Sequence, residues 1–144
     1  MIGGEGPEKL SLKRLVKILG VEDQVSFLGK LSRVQVVEVI SSSDSFVLPS
    51  HYETFGVVLI EALALGKPVI ATRCGGPESI VLNSDGFLVE RNNKEVLANA
   101  MKKMIDHISD YDPQEIRKSC LSRFGAPIIV KQLIALYDQV NIKY

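Results

Sequence analysis

The chain has 144 residues, 46% of them hydrophobic and only 6% aromatic, enough for one domain with an aliphatic core and too few for two. Its 17 basic residues balance 17 acidic ones, so bulk charge gives no basis for binding duplex nucleic acid or an anionic membrane. Cys74 and Cys120 stand in no metal spacing, and without a leader peptide or an 18-residue apolar run the expected setting is reducing and cytoplasmic, with both thiols free.

Met1 and Ile2, followed by Gly3-Gly4-Glu5-Gly6-Pro7, read as the end of a strand running into a glycine-rich turn. Pro7 suits a helix start, and Leu10, Leu12, Leu15, Val16, Ile18 and Leu19 supply an apolar face that ends at Gly20. Val25 to Leu28 is a short strand, and Gly29 turns the backbone at its carboxyl end, the end that faces ligands in open parallel sheets. Ser32 and Gln35 make a capping box, and Val34, Val37 and Ile40 carry the next helix toward the sheet until Ser41-Ser42-Ser43-Asp44 breaks it.

The stretch PSHYETFGVVLIEALALGKPVIAT, from Pro49 to Thr72, organises the rest. It follows a buried strand, Ser45 to Ser50, and Thr54 can cap a helix beginning near Phe55 and Gly56. The glycine lets a ligand approach the unpaired N–H groups and the positive end of that helix, which attract phosphate. Gly66 and Pro68 stop the helix before a second buried strand, Val69 to Thr72.

Two acids, Glu53 and Glu61, interrupt this apolar segment, and a carboxylate among Leu, Ile and Ala is costly unless something pairs with it. A ligand's hydroxyl groups would serve. The ordinary readings are a first-turn acid favoured by the dipole for Glu53, and snorkelling or pairing with Lys67 or Arg73 for Glu61.

Beyond Thr72, Arg73-Cys74-Gly75-Gly76-Pro77-Glu78 is a glycine turn at a strand's carboxyl end feeding a proline-led helical turn. Glu78 reads either as part of a ligand site or as a simple first-turn acid. Asp85-Gly86 is a turn, and Phe87-Leu88-Val89 a last short strand. An amphipathic helix follows from about Lys94 to Ser109, Asp112-Pro113 with Glu115 starts another, and a final helix lies near Ile128 to Val140. Strands and helices alternate through the first 90 residues, which connection rules turn into a right-handed, doubly wound parallel sheet in an α/β fold.

Other chemistries fit poorly. Glu53 and Glu61 lie eight residues apart along one strand-to-helix junction, not across a scissile bond as in a glycosidase. His51 and His107 lack a second ligand at helical spacing, so no metal is expected, and no serine stands in a G-x-S-x-G elbow. Gly4-Glu5-Gly6 is followed by Lys9 where a dinucleotide fingerprint needs its third glycine.

Glu53-x-Phe55-Gly56 to Glu61-Ala62, then Gly66-Lys67-Pro68-Val69-Ile70-Ala71, resembles the ExFGxxxxEA signature of glycosyltransferase family 4, the group 1 glycosyltransferases. Gly4-Glu5-Gly6-Pro7 is similar to the family's G-(D/E)-G-P, and Phe87-Leu88-Val89 to its late strand; Glu78 comes one residue early for the Gly-Gly-x-x-Glu element. The resemblance covers Gly4 to about Val89 by motif, the core of a single domain 1–144, and the helices of 91–144 more loosely.

The resemblance implies the donor-binding, Rossmann-like C-terminal half of a two-domain GT-B enzyme, lacking that half's first strand and helix and the N-terminal acceptor domain. It implies that Glu53 lies at the reacting face of the transferred sugar and that Glu61 holds the donor's ribose. Thr54, Phe55, Gly56 and Val57 would line the sugar and diphosphate, Gly29 and Lys30 the base, and Gly75 and Gly76 the facing loop. It further implies a nucleotide-sugar donor, retention of anomeric configuration, a role in polysaccharide or glycolipid assembly, and no cofactor. Nucleic acid is not an expected partner, and membrane association would run only through the absent domain. Without the family's Arg and Lys for the leaving diphosphate, the isolated chain is expected to be inactive, and its incomplete sheet invites a dimer or domain swap. A non-catalytic nucleotide-binding or partner-docking module is the alternative, and a dehydrogenase domain a third.

Overall fold

The computed structural model describes residues 1–141, with side chains through residue 139. Backbone contacts divide the chain into two compact units, Met1–Val39 and Ile40–Tyr144.

The first unit holds β1 (Ile2–Gly3), α1 (Lys9–Ile18), β2 (Phe27–Gly29) and most of α2 (Arg33–Ser41). β1 and β2 are parallel, Ile2 facing Phe27 and Gly3 facing Gly29. The capping box of α2 forms in both directions: Ser32 N–H donates to Gln35 Oε1 at 2.9 Å and Gln35 N–H to Ser32 Oγ at 3.3 Å. No residue of 1–39 is fully buried, and the expectation that Val34 and Val37 pack inward fails, since they are 67% and 45% exposed. Of the three, only Ile40 is buried.

The second unit is built on a parallel sheet, β3 (Phe46–Leu48), β4 (Val69–Arg73) and β5 (Gly86–Glu90), with β4 in the middle. Between the strands run α3 (Val57–Ala64) and the single turn α4 (Pro77–Ile80); after them come α5 (Lys94–Asp106), α6 (Pro113–Phe124) and α7 (Ala126–Asn141). Four successive residues of β4, Val69 to Thr72, are buried, because both faces of the strand are covered. Ile70 packs with Val89, Ala100 and Met104 beneath α5, while α3 and α4 also contact β4. The fold is therefore the expected parallel α/β architecture, but hydrogen bonding makes two sheets, β1–β2 and β3–β4–β5, instead of one continuous sheet.

Asp112 caps α6 by accepting from Gln114 N–H at 2.8 Å, with Pro113 at the first helical position. The helix from Lys94 ends at Asp106 and gives way to a 3₁₀ turn, Ile108–Asp110, shortening the expected element. Contrary to the sequence expectation, the segment Pro113–Gln139 reaches a mean hydropathy of 1.2 over 18 residues with no more than two charges. By length and composition alone it could cross a membrane, but it is two helices interrupted at the extended Gly125; 11% of the apolar window is buried, and Ile116 and Cys120 of α6 are buried where α6 contacts α3.

Candidate functional site

β3 ends at Leu48, and the chain then loops through His51 and Glu53 to α3. Thr72 Oγ1, 4% exposed, donates to the carbonyl of Ser50 and so ties the start of this loop to β4. The helix is entered at Gly56, whose φ of +96° lies in the left-handed region. This corrects two expectations: α3 begins at Val57, and Thr54 is exposed and makes no cap, because the helix is entered through a glycine that has no side chain to bond back. Leu59 N–H closes on Gly56 O at 2.9 Å, and the N–H groups of Val57 and Val58 are those a helix leaves without an intrahelical acceptor.

Glu53 is held by its backbone. Its N–H reaches Cys74 O at 3.4 Å, and its carbonyl accepts from Gly76 N–H at 2.8 Å, forming a parallel bridge with the Gly75 loop. A Cβ on Gly75 would stand 2.9 Å from Glu53 O, and one on Gly76 would overlap Phe55 O, so the pair of glycines permits the two loops to touch. The N–H of Gly75 is already engaged: with that of Cys74 it donates to Glu78 Oε2, at 3.0 and 3.2 Å. Glu78 thus acts within the turn, in line with its reading as a local acid, and Gly75 and Gly76 contribute shape and not free donors.

Glu53 and Glu61 are both half-buried, and among the described residues neither carboxylate has a recorded hydrogen bond or ion pair. Arg73, an alternative partner for Glu61, instead meets Glu90 at 3.6 Å across the β4–β5 pair. On α3, the buried face is Leu59, Ala62 and Leu63, while Glu61 follows Val57 by four residues and Val58 by three. It therefore sits one turn below the open amino end, on the face that the exposed Val57 shares.

The far end of α3 is fixed by α6. Arg117 Nη1 donates to Ala64 O at 2.7 Å, a cation where the helix dipole is negative. Gly66, at φ +74°, lies so close to Pro113 that a Cβ would stand 2.6 Å from its carbonyl oxygen. Further along α6, Arg123 Nη2 meets Asp85 Oδ2 at 2.8 Å and Nη1 donates to Ile80 O at 2.6 Å. Asp85, 1% exposed, also accepts from Leu82 N–H at 3.1 Å. The guanidinium lies 5.0 Å from the ring of Phe124, which meets Phe55 edge to face, centroids 6.4 Å apart and planes at 82°. Sequence reading missed Thr72, Asp85, Arg123 and Phe124; an Asp before the Gly86 turn shows only as turn chemistry.

Gly29 and Lys30 belong to the first unit. Gly29 ends β2 at φ +70°, its carbonyl accepting from Gly4 N–H at 2.7 Å, and Lys30 is exposed. In the second unit a recess of about 490 Å³ opens between Asp85 and the start of α6, lined by none of the donor candidates. Among the described residues no three His, Cys, Asp or Glu side chains gather as a metal site.

Superposition on solved structures gives the class: this is the GT-B architecture of glycosyltransferases. Sucrose-phosphate synthase from Thermosynechococcus elongatus matches over 99% of this chain and 38% of that one, with a TM-score of 0.83 and 29% identity. An Anabaena protein crystallised with UDP matches over 95% of this chain and 40% of its own, with a TM-score of 0.80 and 26% identity. The family profile described as Glycosyl transferases group 1 matches residues 1–117, and the chain belongs to that family. It is 36% identical to N-acetyl-alpha-D-glucosaminyl L-malate synthase of Bacillus anthracis over 97% of this chain and 37% of that protein. It is 37% identical to D-inositol 3-phosphate glycosyltransferase of Mycolicibacterium smegmatis over 93% of this chain and 31% of that protein. The chain thus spans roughly a third of the length of these curated relatives.

Proposed function

We propose that this chain is the donor-binding part of a retaining glycosyltransferase that moves a sugar from a nucleoside-diphosphate sugar to a glycan or lipid-linked acceptor. The observation that carries the reading is the pair of half-buried acids without protein partners, Glu53 and Glu61, beside a helix entered through a left-handed glycine. Carboxylates with free acceptor capacity suit a ligand rich in hydroxyl groups, and the open amino end of α3 suits its diphosphate. Glu61 holds the ribose hydroxyls. Glu53, its backbone clamped by the Gly75–Gly76 loop, faces the transferred sugar as the acid of the reacting centre. Thr54 and the N–H groups of Phe55, Gly56 and Val57 receive the sugar and diphosphate, and Gly75 and Gly76 shape the facing wall. The Anabaena structure, solved with UDP, supports a nucleoside diphosphate as the ligand class.

Stabilising a leaving diphosphate takes several kcal/mol, and one helix end supplies up to about 2 kcal/mol, so these 144 residues bind donor without turning it over. The acceptor and the complete reaction belong to the whole protein.

Isothermal titration with UDP and GDP tests the reading. A hydrogen-bonded carboxylate contributes about 1.5 to 3 kcal/mol, so Glu61→Ala is expected to weaken nucleotide binding roughly 10- to 100-fold. If the wild-type chain evolves no heat with either nucleotide, the donor assignment is wrong.

A further inference from the structure

We propose that Phe124, steadied by Arg123, is a positioning residue for the turn that opens α3: its ring fixes Phe55 and through it the backbone of Gly56, Val57 and Val58. The inference rests on the donor-site reading for its functional meaning, and it concerns residues beyond the matched family profile, which ends at residue 117.

The need for such a brace follows from the turn itself. Gly56 is the residue through which the chain enters the helix, and a glycine's backbone has more accessible conformations than any other. Thr54 supplies no cap, and Phe55, 46% exposed, is not locked by its own burial. Something outside the turn must select one orientation for the N–H groups that follow.

Two contacts do so. In the first, the carbonyl of Phe55 lies against Gly76, where no side chain fits, and Gly76 N–H is held by Glu53 O at 2.8 Å. In the second, the rings of Phe55 and Phe124 meet in a T-shaped pair, centroids 6.4 Å apart. Phe124 is itself backed by a guanidinium that is anchored by all three nitrogens: Nη2 to Asp85 at 2.8 Å, Nη1 to Ile80 O at 2.6 Å and Nε to Ser119 O at 3.2 Å. A fork fixed in this way holds its central carbon over the Phe124 ring, 5.0 Å from the centroid, while bonding three separate acceptors, an arrangement a lysine cannot reproduce. The Leu82–Asp85 turn, α6 and the start of α3 thereby become one mechanical unit.

Amide hydrogen exchange on the 144-residue chain, read residue by residue by NMR, tests this without a ligand. Phe124→Leu keeps the apolar bulk and removes the ring–ring contact, whose loss corresponds to about two- to tenfold in an opening equilibrium. Exchange at Leu59 and Gly76, whose N–H groups bond the carbonyls of Gly56 and Glu53 in this turn, is expected to accelerate by that factor while Val69 to Thr72 are unchanged, and Phe124→Tyr, which keeps the ring, restores the wild-type rates. Phe55→Leu removes the same contact from its exposed side and is expected to give the same local pattern, which keeps the test open if Phe124→Leu does not fold. Unaltered rates at these two amides, an equal acceleration in β4, or failure of Tyr to rescue each overturns the proposal.

A UDP titration of the same samples reads the functional consequence: wild-type binding weakened about two- to tenfold by Phe124→Leu supports it, and equal affinity of the two proteins overturns the functional half. Wild-type silence toward UDP overturns the donor reading alone, since exchange decides the positioning claim by itself.

Discussion

Asp85 and Cys120 are buried side chains of the second unit whose polar atoms bond other elements. Asp85 is 1% exposed and holds both Arg123 and the N–H of Leu82, so Asp85→Ala leaves a guanidinium and a backbone donor without their acceptor. Removing one partner of a buried pair costs about 3 to 5 kcal/mol; Arg123 keeps 24% of its side chain in water, which puts the expected loss near the lower figure, about 3 kcal/mol in urea unfolding. An unchanged midpoint would mean that the contact is not part of the folded state. Cys120 is fully buried and donates to Ile60 O at 3.5 Å. Burial pushes its thiol above the ordinary value of 9.0, as does the charge of Asp85, against the opposing charges of Arg123 and Arg117. Burial also raises Tyr111 above 10.0, helped by the charge of Asp110. A raised folded-state pKa means that the native chain keeps a proton the unfolded chain has released, so stability is intact below the ordinary pKa and falls as pH rises through the folded one. Stability is therefore expected to be level up to about pH 9 and to decline above it, with a shallower decline in Cys120→Ser, whose hydroxyl does not titrate. Urea midpoints between pH 7 and 11 check this, and an equal slope in the two proteins would remove Cys120 from the explanation.

At the scale of elements, α3 is short, only eight residues, and depends on what holds its ends. Gly66 has φ +74° and sits 2.6 Å, measured from a built Cβ, from the carbonyl of Pro113. Gly66→Ala combines left-handed strain with a backbone clash against α6, and about 2 kcal/mol or more of destabilisation is expected from thermal unfolding. Arg117→Ala, which only uncovers Ala64 O, should cost about 1 kcal/mol. This end of the helix was legible in the sequence, because Gly66 followed by Pro68 is a stop signal whose physics is local. The same holds for the Ser32–Gln35 box and for Asp112-Pro113, each complete within four residues. The amino end was misread for an equally physical reason: a threonine two residues ahead of a glycine advertises a cap, but the glycine's left-handed turn takes over the entry. Arg123 was invisible because its partners, Ile80 and Asp85, lie 43 and 38 residues away, and no local pattern encodes a contact at that separation. The donor-site candidates Glu53 and Glu61 stood out because an acid in an apolar run conflicts with its surroundings; Gly75 and Gly76 stood out as a loop, but not as the surface against which Glu53 and Phe55 rest.

Across the whole molecule the two compact units differ in how much they bury, and stability should differ with it. Residues 1–39 contain no fully buried side chain; β1 is two residues long and α1 leaves Leu10, Leu15, Ile18 and Leu19 between 49% and 80% exposed. Residues 40–141 contain the buried run of β4 and the cluster of Ile70, Val89, Ala100 and Met104. Local opening is resisted chiefly by apolar surface that must be re-exposed, at about 25 cal/mol per Å², and the first unit has little of it to lose. Amides of α1 and β2 are therefore expected to exchange at least about a hundredfold faster than those of β4 in native conditions, in one low-energy opening that leaves Val69 to Thr72 protected. Equal protection of α1, β2 and β4 would mean that buried apolar area does not set local stability in this chain.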